Sequence, residues 1–186
     1  KLYVSLGAKH ENFMVFDIDG ILHKGRTDIP EIKQNFTVAE KYKDYDLAKA
    51  MNNADVFVGL SAPNVVTEAM IKSMAKNPIV FALANPDPEI SYEIAIKSRK
   101  DLIMATGRTD YPNQVNNVLG FPYIFRGALD ARAKRITPKM KLAAAYAIAD
   151  CVKFPDRDMI SPPARNEEVA YRVAEAVRKA ALEEGA

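Results

Sequence analysis

Short, nearly continuous apolar runs alternate with segments of helical spacing along most of the chain. Four runs predict strands, at residues 12–18, 54–60, 78–84 and 102–105. A strand in a parallel sheet is covered on both faces, so it is apolar at almost every position. Strands that alternate with helices favour right-handed crossover connections. The pattern therefore predicts an α/β fold built on a parallel sheet.

The segments between these runs carry helix start signals. Segments 46–53, 67–77 and 91–100 have helical spacing, and Asp46, Thr67 and Ser91 are their predicted N-caps. After the last strand the pattern is helical only. We expect helices over 115–133, from Thr137 with Pro138 at the first position, and over 166–182. Prolines keep the segment 153–165 irregular.

The composition is that of an ordinary globular chain, with 48% hydrophobic residues, 27% charged residues and a formal net charge of +2. This near balance removes the electrostatic reason to expect nucleic-acid or membrane binding. No apolar stretch approaches the ~20 residues that span a bilayer, and no signal peptide is visible. The single cysteine, Cys151, cannot form an intrachain disulfide, which favours a reducing, cytoplasmic location.

Polar residues lie where the predicted strands end, and ligands of open α/β sheets bind beyond those carboxyl ends. They are Asp17, Ser61, Asn85 and Thr106. Asn85 closes the run "PIVFALANPDPE", and Asn113, Asn116 and Asn117 follow the last strand. An asparagine amide donates and accepts hydrogen bonds without changing its charge. These positions therefore suit a small polar ligand that is held rather than protonated.

A purely structural interpretation exists for each of these residues. Asp17 could cap local backbone amides, and Ser61 could belong to a plain strand-to-helix turn. Asn85 with Pro86 could form a turn. Either Asn116 or Asn117 could cap a helix. The sequence leaves these alternatives open.

Several linked segments resemble the nicotinamide-binding domain of malic enzymes, particularly the bacterial kind. They are "KGRTD" at 24–28, "NADVFVGLSAP" at 53–63, Asn85 with Pro86, Asn116 with Asn117 before "GFP", and "MKLAAAYAIA" at 140–149. The resemblance covers nearly the whole chain. It implies an oxidoreductase that converts malate to pyruvate and CO2 while reducing NAD or NADP.

The resemblance also implies roles for individual residues. Asn85 and Asn117 would bind malate, and we expect them to converge at one crevice beside the nicotinamide. The cofactor would contact Asp17, Ser61, Ala62, Asn85 and Asn116. An acidic residue in the place of Asp17 accepts bonds from ribose hydroxyls and slightly favours NAD, whereas Lys24 and Arg26 could accommodate NADP.

The glycine-rich phosphate loop of a Rossmann unit is not visible. We therefore expect 1–135 to be a partial Rossmann-type NAD(P)-binding domain, without its first strand and that loop. Residues 136–186 would be a helical extension on the same domain, with Val169, Val173, Ala176 and Ala180 on the packed face. The family's catalytic groups and its Mg or Mn ligands would lie upstream, in an N-terminal malic domain. Alone, this part would be inactive; the whole enzyme would be a homodimer.

Two other hypotheses belong to different classes. The stretch "FMVFDIDG" resembles the first motif of haloacid-dehalogenase-type phosphatases, in which Asp17 would be the nucleophile, Asp19 the acid/base and Ser61 a phosphate ligand. That hypothesis lacks the late acidic cluster that would hold magnesium. The third hypothesis is a non-catalytic Rossmann-like binding module.

Overall fold

The computed structural model describes residues 1–164 and 166–186. The chain divides into two compact units, Lys1–Leu102 and Ile103–Ala186. Within the described residues, no helix combines the length and the apolar character needed to cross a membrane.

The first unit contains most of the strands. Its helices and strands are α1 Leu2–Ser5, β1 Phe16–Asp17, β2 Gly20–Ile21, α2 Glu31–Gln34, α3 Leu47–Met51, β3 Val56–Gly59, α4 Glu68–Ser73, β4 Ile79–Ala82 and α5 Tyr92–Ser98. Two 3-10 turns, His10–Asn12 and Glu40–Tyr42, interrupt the loops. The second unit contains β5 Ile103–Thr106, a 3-10 turn Asn117–Leu119, α6 Tyr123–Asp130, α7 Pro138–Ala149 and α8 Glu167–Glu183.

Three of the four predicted strands form one sheet, in the order β3-β4-β5. Strands β3 and β4 are parallel, with Val56 opposite Ile79 and Gly59 opposite Ala82. Val80 and Ala82 of β4 are fully buried, as a central strand requires. Val56 and Val58 of β3 are exposed, because alternate side chains of this edge strand face solvent. The predicted α/β fold with a parallel sheet is confirmed.

The prediction of a sheet strand over 12–18 is wrong. Of these residues only Phe16 and Asp17 form a strand, and they pair antiparallel with Gly20 and Ile21 as a two-stranded hairpin outside the main sheet. Gly20 has φ +109°, a conformation that side chains disfavour, and the Asp19 N–H donates to the Asp17 carboxylate at 3.1 Å. These local bonds reverse the chain where a sheet strand would have continued.

The predicted helix starts are confirmed. Each of the caps Asp46, Thr67, Ser91 and Thr137 accepts a hydrogen bond from the backbone N–H three residues on. Pro138 occupies the first turn of α7, and the Asn166 amide caps α8. The predicted helix over 115–133 is wrong in its extent. It is divided into the 3-10 turn and α6, because Pro122 lacks an N–H and restricts the residue before it.

Arg99 ties the end of α4 to the loop before β5. Its guanidinium donates to the carbonyls of Met74 and Ala75 at 2.7 and 2.8 Å, which satisfies acceptors left free where α4 ends. It also forms a two-point ion pair with Asp101, whose carboxylate accepts a further bond from the Asn77 N–H at 2.8 Å. Arg99 and then the Asn77 N–H hold the pKa of Asp101 well below its usual range.

We expect Asp101→Asn to lower the thermal unfolding midpoint near neutral pH, because the charged acceptor is lost. The folded-state pKa of Asp101 is depressed, so its contribution is fully present above the unfolded value of about 3.9, declines below that value and is lost as the pH falls through the lower folded value. The midpoints of the parent and the variant should therefore approach each other in acid. A difference that stays constant from pH 7 to pH 3 would contradict this linkage.

In the second unit, α8 packs against α6 and α7 along one apolar face. Val169, Val173 and Ala180 are buried, as predicted, and Val177 and Ala181 extend the same face. Gly127 of α6 lies so close to α8 that a Cβ there would be 2.2 Å from the carbonyl oxygen of Ala174. The absence of a side chain at Gly127 therefore sets how closely the two helices approach.

Candidate functional site

Two loops of the first unit leave the sheet side by side. Gly59 and Ala82, the last residues of β3 and β4, are register partners. Ser61 and Ala62 follow β3, and Asn85 follows β4; all three are exposed. The carboxyl ends of neighbouring parallel strands thus present a hydroxyl and an amide at one edge, where ligands of open α/β sheets bind.

Glu89 joins these two loops, and the sequence analysis missed it. Its side chain is fully buried. One carboxylate oxygen accepts from the Ser61 N–H at 2.8 Å and from the Ser61 hydroxyl at 3.2 Å, and the other accepts from the Ala84 N–H at 3.1 Å. The only sequence signal was Gly59, since a glycine in a strand often marks the close approach of another group.

The two asparagine side chains that are expected to bind malate are exposed to solvent. Asn85 and Asn117 are exposed, and neither side chain hydrogen-bonds to any residue that the structure describes. Asn116 is half-buried, and its amide oxygen accepts from the Val118 N–H at 3.0 Å, so it caps the 3-10 turn. Asn85 belongs to the first unit and Asn117 to the second. Their convergence stays a prediction.

Asp17 lies in an ion cluster rather than at the end of a sheet strand. Its two carboxylate oxygens accept from Arg26 at 2.8 and 3.2 Å, and Arg26 also donates through Nε to Asp28 at 3.0 Å. The Arg26 guanidinium lowers the pKa of Asp17 and lowers that of Asp28 to about 2. A ribose hydroxyl at Asp17 would therefore share a carboxylate that already has a cationic partner.

Two further polar residues, both in the second unit, have structural roles. Thr106 is fully buried, and its hydroxyl accepts from the Arg108 N–H at 3.2 Å. Asn113 is buried, and its amide donates to the carbonyls of Met104 and Arg157 and accepts from the Ile160 N–H. Both side chains therefore have backbone partners within the second unit. Burial also raises the pKa of the Cys151 thiol, which is consistent with an inert cysteine.

No group of three or more histidine, cysteine, aspartate or glutamate side chains in residues 1–164 and 166–186 could hold a metal ion. Asp17 and Asp19 lie within reach of Arg26, at 2.8 and 3.7 Å, rather than in an acidic pocket. The described residues therefore do not fit a divalent metal by themselves. We assign no chemical step in this chain to such an ion.

The parallel sheet with flanking helices defines a Rossmann-like α/β class, and comparison with known proteins gives the family. The family described as malic enzyme, NAD binding domain, matches residues 4–182. The chain belongs to this family. The match and the Arg26 pairing of Asp17 argue against the phosphatase hypothesis, which required Asp17 as a free nucleophile.

Individual proteins similar to this chain are also named malic enzymes. The NADP-dependent malic enzyme of Halomonas elongata is 47% identical over the whole chain, and the NAD-dependent malic enzyme of Rhizobium meliloti is 41% identical over 99% of it. The crystal structure of malic enzyme from Pyrococcus horikoshii matches 99% of the chain with a TM-score of 0.90 and 39% identity. The chain spans 47%, 26% and 45% of the lengths of these three proteins.

Proposed function

We propose that the chain is part of an NAD(P)-dependent malic enzyme, which oxidises malate and releases pyruvate and CO2. The family match over residues 4–182 is the observation that carries this proposal. The exposed polar side chains at the strand ends support it, because they offer neutral donors and acceptors for a hydroxy acid. We further propose a cytoplasmic homodimer that includes an N-terminal malic domain in the same polypeptide.

Within this enzyme, we assign Asn85 and Asn117 to malate. Asn85, Asn116, Ser61, Ala62 and Asp17 are assigned to the dinucleotide. The nicotinamide supplies the hydride acceptor when it is bound. The residues of this chain orient the two reactants and exclude mismatched ones, since a ligand without the matching oxygens covers these polar groups and leaves them unpaired. No catalytic acid or base is assigned to the described residues.

The choice between NAD and NADP depends on the Asp17–Arg26 pair. A carboxylate beside the ribose repels a 2′-phosphate, whereas Arg26 at 2.8 Å offsets part of that repulsion. We propose a slight preference for NAD. Steady-state rates with the two cofactors measure it directly, and the relatives include malic enzymes named for each of them.

Asn117→Ala in the complete enzyme is expected to lower kcat/KM for malate at least tenfold. Loss of one hydrogen bond to a bound polar group costs about 1–3 kcal/mol, and most of that range lies above the roughly 1.4 kcal/mol that corresponds to a factor of ten. Steady-state kinetics at saturating NAD(P) give the result. The thermal unfolding midpoint should not change, because the Asn117 amide has no partner among the described residues.

The matched control is Asn52→Ala. Asn52 is an exposed asparagine that follows α3, before β3 and therefore away from the carboxyl ends of the strands. It should leave malate kinetics within twofold of the parent. Unchanged kinetics in Asn117→Ala, or an equal loss in both variants, would refute the assignment of Asn117 to malate.

A further inference from the structure

Glu89 is a fully buried carboxylate that connects two chain segments far apart in sequence. Its partners are Ser61, 28 residues away, and Ala84, five residues away. The two bonded backbone groups come from different loops, one after β3 and one after β4. The carboxylate therefore fixes the distance between those loops.

The backbone around Glu89 reinforces the same connection. The Val66 N–H donates to the Glu89 carbonyl at 2.9 Å, and the Asn64 N–H donates to the Pro88 carbonyl at 3.2 Å. The whole loop from Ser61 to Val66 is thus attached to residues 88 and 89. The loop conformation after β3 depends on where Glu89 lies.

Gly59 provides the space that the carboxylate occupies. A Cβ at Gly59 would be 2.3 Å from the Glu89 carboxyl carbon and 2.5 Å from one of its oxygens. Because real Cβ contacts do not occur at such distances, the last residue of β3 must be glycine for Glu89 to reach both loops. The position of the Glu89 carboxylate therefore depends on the absence of a side chain at Gly59.

Burying a carboxylate costs desolvation free energy, and an apolar side chain of similar volume often stabilises a fold equally well. The Glu89 carboxylate instead fixes the positions of the groups that donate hydrogen bonds to it. It accepts from the backbone of Ser61 and from the residue immediately before Asn85, and both Ser61 and Asn85 are assigned to ligands in the proposed function. A displacement of about 1 Å in such groups can cost a factor of about 100 in rate.

We propose that Glu89 is a positioning residue for the dinucleotide site, which holds the Ser61 and Asn85 loops in the geometry that binds the nicotinamide cofactor. This inference rests on the proposed malic enzyme function. The Glu89 side chain is fully buried and acts through the backbone of Ser61 and Ala84. Its replacement should therefore change cofactor affinity and turnover without unfolding the sheet.

The test compares Glu89→Gln with Asp87→Asn in the complete enzyme. Glutamine has the size of glutamate, but its NH2 group faces a backbone N–H and breaks one of the two connections. We expect Glu89→Gln to raise the dissociation constant for NAD(P)H, measured by fluorescence titration, about tenfold and to lower kcat by a similar factor. Asp87→Asn removes an exposed carboxylate from the same loop and should leave both quantities within twofold.

Amide hydrogen exchange provides a measurement that does not depend on activity. In Glu89→Gln, the amides of Ser61 and Ala84 should exchange faster while that of Val80, inside β4, stays protected. Glu89→Asp, in which the carboxylate is shorter, serves as a second variant and should show the same pattern. Failure of both variants to fold would overturn the positioning role in favour of a purely structural one, as would parental cofactor affinity and kcat in Glu89→Gln.

These outcomes are separable from failure of the proposed function. If the unaltered enzyme binds NAD(P)H but does not oxidise malate, the substrate assignment fails, and the cofactor titration still decides the role of Glu89. If the unaltered enzyme binds neither NADH nor NADPH, both proposals are refuted.

Discussion

Gly127→Ala is expected to destabilise the Ile103–Ala186 unit by about 2–3 kcal/mol. The new Cβ would lie 2.2 Å from the Ala174 carbonyl oxygen, 2.8 Å from the Val177 Cβ and 3.0 Å from the Arg178 backbone nitrogen. Two of these atoms belong to the backbone of α8 and cannot rotate away. Helices α6 and α8 must therefore separate, which opens the packing around Val177.

The sign of this prediction opposes the intrinsic preference of the helix. Alanine is favoured over glycine inside a helix by about 1 kcal/mol, so a stabilised variant would show that the helices separate at little cost. Equilibrium urea unfolding followed by circular dichroism measures the change. Gly107→Ala is the matched control, because nothing lies within 4 Å of its Cβ position, and it should stay within about 0.5 kcal/mol of the parent.

Features fixed by neighbouring residues could be predicted from the sequence. The cap residues Asp46, Thr67, Ser91 and Thr137 act on amides three positions away, so their roles are local. The three sheet strands were visible as apolar runs for the same reason. The helix predicted over 115–133 was wrong because apolar spacing was given more weight than Pro122, although the proline was visible.

Features that depend on distant partners could not be predicted. The hairpin at Phe16–Asp17 is a separate case: its turn is local and Arg26 bonds to Asp17 only nine residues away, but the apolar run that contains it is also typical of a sheet strand. Glu89 resembled an ordinary loop carboxylate, because its contacts with Ser61 exist only once β3 and β4 are paired. The placement of Asn85 just after β4 followed from the sequence, whereas the binding roles of Asn85, Asn116 and Asn117 stay predictions.

Asn113→Ala is expected to destabilise the second unit, Ile103–Ala186, by about 3–4 kcal/mol. Its amide donates to the Met104 carbonyl at 3.0 Å and to the Arg157 carbonyl at 2.8 Å, and it accepts from the Ile160 N–H at 2.8 Å. Truncation leaves three backbone groups without this partner in a site where Asn113 is 6% exposed. The φ of +56° adds about 1 kcal/mol, because alanine tolerates the left-handed region poorly.

Asn77→Ala separates the backbone part of this cost from the hydrogen-bonding part. Asn77 has φ +53° but an exposed side chain, so its replacement should cost only about 1 kcal/mol. Asn113→Asp provides the complementary comparison, since it keeps the acceptor for Ile160 and places an oxygen against two carbonyls. We expect Asn113→Asp to be at least as unstable as Asn113→Ala in urea unfolding. Equal losses in Asn113→Ala and Asn77→Ala would mean that the buried amide adds nothing beyond its backbone conformation.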